Sequence, residues 1–520
     1  MLWTAQFVSN IGTWMQTVGA QWFLVGASGS PTLVALVQTA SSLPILLLAL
    51  PAGVLADLVD RRRLLLYAQV AMALVAALLA VASMTEELTP LRVLIATFAL
   101  GVGVAASTPA WQAVQPDVVS RELLPTAAAL SGASINIGRA AGPALGGVVV
   151  AIAGPGWTFA LNAVSFLVVA GALVRWRTPR SPRTVRELLR AAMRTGVSYT
   201  RHSPPVRRLV IRAGLWTAPA SVLWALLPVI SHTELRLGSA GYGLLLASVG
   251  VGAFLGAVVL APLRHRIAVN RLLTLSGVGY SVSLLGIGAF ASVPVVLALL
   301  MIAGGCWIAV LSTLNAAAQV LLPRWVRARG IGVFVLVLQG GQAIGATLWG
   351  TVAERTSASA AFLAAGVALL LVTLAARRLR LDPPVTPERG HPIAWMAPSL
   401  RGDVAPGSGP VLVRVDYHVR PDQVPSFVES MPEVRAVRLR GGARNWSCAP
   451  DPMDGTTFRE RFVVATSHEA HELNEARLTA DDHALLRRLA TYTAEQPTAL
   501  FELGGRPGPA AASRSDNGRS

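Results

Sequence analysis

Lysine is absent from all 520 residues, and carboxylates are scarce before residue 382. Only Asp57, Asp60, Glu86, Glu87, Asp117, Glu122, Glu187, Glu234 and Glu354 occur there, each in or beside a gap between long apolar runs. A carboxylate at the centre of a bilayer costs several kcal/mol, so repeated membrane crossing imposes this distribution and a soluble fold does not. With no lysine, no Gly-x-x-x-x-Gly-Lys-Ser/Thr loop exists, which argues against direct ATP drive. The two cysteines are Cys306, inside an apolar run, and Cys448, far along the chain. That excludes a disulfide framework. No basic region or cleavage site precedes the first apolar run, so that run is expected to stay as a helix.

What remains is 53% apolar with mean hydropathy +0.55. Turn residues and charges divide it into about twelve spans: 1–27, 33–56, 64–84, 91–113, 125–152, 156–175, 208–231, 240–262, 268–290, 294–317, 329–353 and 358–380. The expected fold is an all-α polytopic membrane protein of two six-helix halves, followed by a small α+β domain. The net charge of +17 lies in alternate gaps: Arg61 to Arg63, Arg121, Arg177 to Arg208, Arg264 to Arg271, Arg324 to Arg329 and Arg377 to Arg380. Positive charge stays on the cytoplasmic side, so both termini and the central loop are expected there. The basic balance is topology, and nucleic acid is not an expected partner.

An offset of about 203 residues superimposes the halves. Gly53 meets Gly256, Arg61 meets Arg264, Arg63 meets Arg266, Asn136 meets Gln339, Arg139 meets Gln342, Gly142 meets Gly345 and Gly147 meets Gly350. Duplicated halves place a substrate site at their midplane interface and alternate its access by rocking. The domains expected are 1–176 and 207–381 for the halves, 177–206 for a central loop, 382–410 for a linker, 411–503 for the α+β domain and 504–520 for a disordered end.

Two motifs stand out. Gly53-Val-Leu-Ala-Asp57-Leu-Val-Asp60-Arg61-Arg62-Arg63 follows span 2. Gly53 permits close helix approach, and Asp57 at the membrane edge suits a helix N-terminus or an arginine of the other half, so Gly53, Asp57, Arg61 and Arg62 form a candidate conformational latch. Leu260 stands where the second half would repeat the Asp, so the latch is one-sided. In span 5, Gly138-Arg139-Ala-Ala-Gly142-Pro143-Ala-Leu-Gly146-Gly147 sets small residues at four-residue spacing, and Pro143 removes one backbone hydrogen bond.

These motifs resemble those of the major facilitator superfamily. Phe7-Val-Ser-Asn-Ile-Gly-Thr-Trp-Met-Gln and Pro109-Ala-Trp-Gln-Ala-Val-Gln-Pro-Asp resemble its enterobactin-exporter-like, transmembrane secretion effector branch. The resemblance covers residues 1 to 380 and implies export of a siderophore, drug or other small molecule by secondary transport. The basic residue that drug antiporters carry in helix 4 is missing from Ala99 to Ala113, and no Asp, Glu or His lies in mid-span. Proton coupling is therefore an expectation of kinship, with Asp57 the nearest candidate.

Asn10, Thr13, Thr17 and Gln21 share one face of span 1, with Trp14 beside them. A polar stripe in lipid is costly, so it faces a cavity or another helix. Trp111, Gln112, Gln115, Asn136, Asn315, Gln339 and Gln342 are further cavity candidates, each equally explained by a helix–helix hydrogen bond. Arg139 is the one charge read as deep within a span, where a structural partner and an anionic substrate are equal alternatives.

In the central loop, Val185, Leu188, Leu189, Ala192, Met193, Gly196 and Val197 alternate with Arg186, Arg190 and Arg194 as in an interfacial amphipathic helix. Beyond the linker, strands are expected at Val411–Tyr417, Val434–Arg440 and Thr457–Ala465, and helices at Gln423–Met431 and Ser467–Ala494. Arg440-Gly-Gly-Ala-Arg-Asn-Trp446 and the stretch Ser467 to Thr479 resemble the ferredoxin-like antibiotic-biosynthesis monooxygenase type, which implies a dimerising or regulatory tail. Asn445, Trp446 and His471 supply no complete catalytic constellation. The reading is a non-enzymatic exporter in the lipid bilayer of the cytoplasmic membrane, with no cofactor or metal. An oxygenase anchored by a membrane bundle and a non-transporting ligand sensor are the alternatives.

Overall fold

The computed structural model describes residues 2–118, 123–176, 189–263, 266–323, 325–381, 399–400, 409–466, 469, 473, 477–478 and 480–503. At 49–58, 112–113, 115–118, 124–129, 133, 136, 189–193, 261–263, 328, 399–400, 480–481, 501 and 503 only the backbone is described. The expected linker and disordered end lie almost wholly outside these residues. The chain forms two compact units, one of Met1–Leu189, Pro205–Leu322 and Gly330–Pro383, the other of Arg190–Pro204, Pro323–Arg329 and Pro384–Ser520.

The first unit is helical: α1 (Leu2–Ser28), α2 (Pro31–Leu58), α3 (Arg61–Met84), α4 (Pro90–Val118), α5 (Leu124–Ala153) and α6 (Pro155–Arg175) form one half. After α7 (Leu189–His202), which belongs to the second unit, the other half contains α8 (Pro204–Ala220), α9 (Val222–Thr233), α10 (Ser239–Leu263), α11 (Val269–Ala289), α12 (Val293–Leu321), α13 (Arg327–Arg355) and α14 (Ala358–Ala375). Turn chemistry sets the boundaries. Gly154, at φ +87°, ends α5, and Pro155 opens α6 where a missing N–H costs nothing. Asp60 caps α3 by accepting from the Arg63 N–H, and Ser357 caps α14 through the Ala360 N–H.

Eleven helical stretches among the described residues are long and apolar enough to cross a membrane. α1 is not one of them, because Gln6, Asn10, Gln16 and Gln21 dilute its 27 residues. α8 and α9 together make one stretch, Pro204–Thr233, interrupted at Ser221 after Pro219. Carbonyls at the break find side-chain donors: Trp349 Nε1 to Ala218 O at 3.0 Å and Tyr280 Oη to Ala220 O at 3.1 Å. Large apolar side chains such as Tyr67, Leu91, Ile152 and Ile344 are exposed, and Ile152 remains 81% accessible. A soluble surface does not spread so much apolar area; a lipid-facing one does.

In the second unit a five-stranded sheet has the order β1-β5-β2-β4-β3, with β1 (Ser399–Leu400), β2 (Val411–His418), β3 (Arg444–Asp451), β4 (Asp454–Val464) and β5 (Thr498–Leu503). β2 pairs antiparallel with β4 and β5, β3 antiparallel with β4, and β1 parallel with β5. Helices α15 (Val424–Arg440) and α16 (Ala480–Tyr492) complete it. The strand expected at Val434–Arg440 is instead the last turns of α15: Phe427, Met431, Val434 and Val437 are buried at helical spacing. The helix expected over Ser467–Ala494 is described as α16, with most of 467–479 outside the described residues, and β1, β3 and β5 stand where no strand was expected. The core joins Tyr417, Phe427, Phe462, Leu486 and Leu489. Within it the fully buried Arg438 and Glu460 bond at 2.9 and 3.1 Å, while Tyr417 Oη and Trp446 Nε1 donate to the same carboxylate.

α7 belongs to this unit. Its described buried residues are Thr195, Gly196, Tyr199 and Thr200, whereas Val197, read as part of the apolar face, is 51% exposed. Ser198 Oγ donates to Leu439 O at 2.7 Å, and Trp325 lies between the Tyr199 edge, 5.7 Å away, and the Arg477 guanidinium at 4.6 Å. The described part of α7 therefore packs on protein, while Val185 to Met193 of the expected apolar face lie outside the described side chains.

Candidate functional site between the halves

α5 carries the span 5 motif on two faces. A Cβ at Gly138 would lie 3.1 Å from Asn10 Cβ, one at Gly142 2.6 Å from Trp14 Cβ, and one at Gly146 2.9 Å from Met15 Cα. That stripe seats α1. Pro143 and Gly147 face the other half: a Cβ on Gly147 would meet Gly243 Cα at 2.8 Å, and one on Gly243 would meet Pro143 O at 2.7 Å. Gly250 packs in the same way on Ala140 Cα, with no room for a Cβ. The motif thus holds α1 and α10 against one helix at backbone distance.

Arg139 points from α5 over the Trp14 ring, with its guanidinium carbon 5.6 Å from the centroid. Among the described residues no carboxylate pairs with it, and its buried Nε has no hydrogen-bond partner. Trp14 begins a run of rings: Trp224 at 5.9 Å, Trp307 5.4 Å further, then Trp216 at 5.2 Å and Tyr280 at 5.9 Å from Trp307. These come from α1, α9, α12, α8 and α11, so the run crosses from one half to the other. The buried indole N–H groups of Trp224, Trp307 and Trp216 also lack protein acceptors. The cluster therefore offers flat apolar faces, one cation and several donors, with no carboxylate among its described residues.

The other cavity candidates separate. Gln21 is buried and joins the halves, donating to Trp224 O at 3.0 Å and accepting from Tyr242 Oη. Gln21 and Trp224 are 203 residues apart, the repeat offset, so equivalent positions meet here. Asn10 donates to Ser134 Oγ at 2.9 Å and accepts from Gln6, bonds that serve helix packing. Thr13 and Thr17 bond back to Ser9 O and Thr13 O of their own helix, and Asn315 to Leu311 O. Trp111 packs against Ala5, Leu65, Val114 and Leu173 inside its own half. Gln342 accepts from Gln38 Nε2 at 3.2 Å across the α2–α13 seam, and Gln339 is half-buried on the same helix. The side chains of Gln112, Gln115 and Asn136 lie outside the described residues.

Of the latch motif, Gly53 and Asp57 are described by their backbone alone. Arg62 donates from Nε to Leu173 O at 2.8 Å and from its terminal nitrogen to Val174 O, bracing the end of α6 in its own half. Arg61 lies partly buried at the first position of α3. Sequence reasoning missed Trp224, Trp307 and Trp216, although aromatic residues recurring in mid-span were a usable signal. It also missed Arg212, a second buried cation in a span, which bonds Asn270 Oδ1 at 3.0 Å and Leu379 O at 3.4 Å.

Two helical halves meeting around a polar and aromatic interior, inside an apolar exterior, define a multi-pass membrane transporter. The chain matches the transmembrane secretion effector family over residues 1–500 and belongs to it, within the major facilitator superfamily. It is similar to enterobactin exporter EntS of Salmonella typhimurium, 29% identical over 345 residues that span 64% of this chain and 82% of that one. EntS of Shigella boydii is 28% identical over 342 residues, 64% and 81% of the two chains. Among solved structures, an inward-facing bacterial homologue of the human lysosomal transporter Spinster superimposes with TM-score 0.60 at 15% identity, over 74% of this chain and 98% of that one. Nucleoside transporter NupG superimposes with TM-score 0.58 at 11% identity, over 73% and 98%. The protein is a secondary transporter that exports a small molecule and is not an enzyme; the anchored-oxygenase and sensor readings are not favoured.

Proposed function

We propose that the exported molecules are small anions with a flat aromatic or apolar body, held between the halves by Arg139, Trp14, Trp224 and Trp307. The observation that carries this is a mid-span guanidinium with no described carboxylate partner. An uncompensated charge in a low-dielectric interior is costly, and a bound anion offsets that cost. The adjoining ring faces and indole donors suit an acceptor-bearing aromatic, and the named relatives are enterobactin exporters. Binding of salicylate to the purified protein in nanodiscs tests the reading. Arg139→Ala should weaken binding at least tenfold with yield and monodispersity unchanged, and Arg139→Lys should weaken it less. Equal affinity in wild type and Arg139→Ala would remove the anion site.

In this reading α1 is the twelfth span, the arginine-rich end is cytoplasmic with both termini, and a proton gradient supplies the drive. Asp57 with Gly53, Arg61 and Arg62 latches that end; Asp57→Asn should slow export, and wild-type flux in the mutant would dismiss the latch. Salicylate efflux from vesicles should rise with an imposed pH gradient, and independence from it would remove proton coupling. The order β2-α15-β3-β4-α16-β5 with strand order β5-β2-β4-β3 supports a ferredoxin-like tail, and in this reading the tail pairs two copies. Light scattering should then give a dimer for the full chain and a monomer for one stopped after Leu381.

A further inference from the structure

We infer that Glu354 locks the arginine-poor end of the transporter shut by capping α2 from across the seam between the halves. The first N–H groups of a helix have no partner within it. At α2, Ser30 Oγ accepts from the Leu33 N–H at 3.3 Å and donates at 2.7 Å to Glu354 Oε2, which also accepts from the Thr32 N–H at 3.1 Å. One carboxylate oxygen from the last turn of α13 thus completes the cap of a helix in the opposite half. Thr32 Oγ1 adds a bond to Gly350 O at 3.2 Å, and further along Thr39 donates to Ala343 O at 3.1 Å while Gln38 reaches Gln342.

Two features mark this as a releasable contact. Glu354 is solvent-exposed, so water replaces each bond as the halves part, and the exchange is close to balanced. The duplicated seam has no counterpart: one repeat earlier Glu354 becomes Ala151, and one repeat later Thr32 becomes Leu235. The carboxylate therefore adds a charged cap to one seam alone, at the end of the molecule opposite the Gly53–Arg63 motif.

The test uses the full chain with Cys306→Ala and Cys448→Ala, Thr347→Cys as reporter on the seam, where Thr347 Oγ1 lies 3.0 Å from Thr39 Oγ1, and a membrane-impermeant maleimide applied to right-side-out and inside-out vesicles. Glu354→Ala should raise reporter labelling three- to tenfold at one face. Glu354→Gln, whose amide oxygen still accepts, should raise it less. Thr32→Pro deletes that N–H in the first helical turn, where proline is tolerated, together with the Thr32 Oγ1 bond to Gly350 O, and should raise labelling at least as much as Glu354→Ala. Unchanged labelling in both Glu354→Ala and Thr32→Pro, with monodisperse protein, would overturn the latch. The inference rests on alternating access and not on the substrate class: labelling is read without ligand and the anion site by salicylate binding, so failure of the anion site and failure of the latch read separately.

Discussion

The two seams that join the halves are related by the repeat and are built of different chemistry. Where α5 meets α10, Gly147, Gly243 and Gly250 bring backbone against backbone, and the contact is van der Waals packing. Where α13 meets α2, side chains bond across: Glu354 to Ser30 and Thr32, Gln38 to Gln342, Thr39 to Ala343 O. Dispersion contacts are many and individually weak, so the glycine seam fixes how closely the halves approach. Hydrogen bonds are few and exchange with water, so the polar seam tunes how readily they separate. Substitutions should accordingly disrupt folding at the first seam and shift the conformational equilibrium at the second.

The largest effect is expected at Gly243→Val. Its Cβ would sit 2.7 Å from Pro143 O, with no flexible side chain to yield, so monodisperse protein should be lost at more than the ~1–3 kcal/mol usual for overpacking. Purification yield and thermal denaturation read this out. A buried ionic contact gives the next step. Glu460→Ala in the tail leaves Arg438 buried and unpaired, and should destabilise the second unit by about 3–5 kcal/mol in a denaturant titration. The contrast is with Glu354, a carboxylate in water, whose loss should leave the melting temperature nearly unchanged. Gly350→Ala comes third: its Cβ would meet Ala35 Cβ at 2.7 Å and Thr32 Cα at 3.2 Å, so α2 must give way slightly, and about 1–3 kcal/mol of strain in a folded protein is expected. Smallest is Gln38→Leu, which removes one seam bond worth about 1 kcal/mol and should alter transport rate before stability.

The cysteine of the tail is held unreactive by its surroundings. Burial, then the nearby Glu460 carboxylate, pushes the Cys448 thiol up to about 12. Thiolate is thus scarce at neutral pH, and alkylation of Cys448 in the folded tail should be slow there and climb steadily as pH rises. Rapid labelling at neutral pH would contradict its burial.

The helical bundle was legible because lipid leaves a strong mark: nine carboxylates confined to gaps, and arginine in alternate loops. The span 5 motif was legible as small-residue spacing, although not the fact that it serves two partners, since a stripe of glycines does not state which helix fills it. The polar stripe of span 1 was legible as one helical face, but its members diverge. Gln21 bridges the halves, while Thr13 and Thr17 satisfy themselves on the turn before. Periodicity assigns a face and cannot tell a self-bonded hydroxyl from a lining one. Trp224 and Trp307 escaped because tryptophan in a span carries no charge signal. In the tail, Val434 to Arg440 read as a strand because a short β-branched run fits both periods, and only packing with Phe427 and Met431 decides for helix.

If the halves part along the polar seam while the chain stays folded, the distance across that seam must take two values. Spin labels at Ala27→Cys and Thr356→Cys, one on each side of it in the cysteine-free background, would measure this directly by electron–electron resonance. A short distance should dominate without ligand, and a second, longer one should grow with salicylate and a gradient and in Glu354→Ala. A single unchanged distance under all these conditions would contradict parting at the seam.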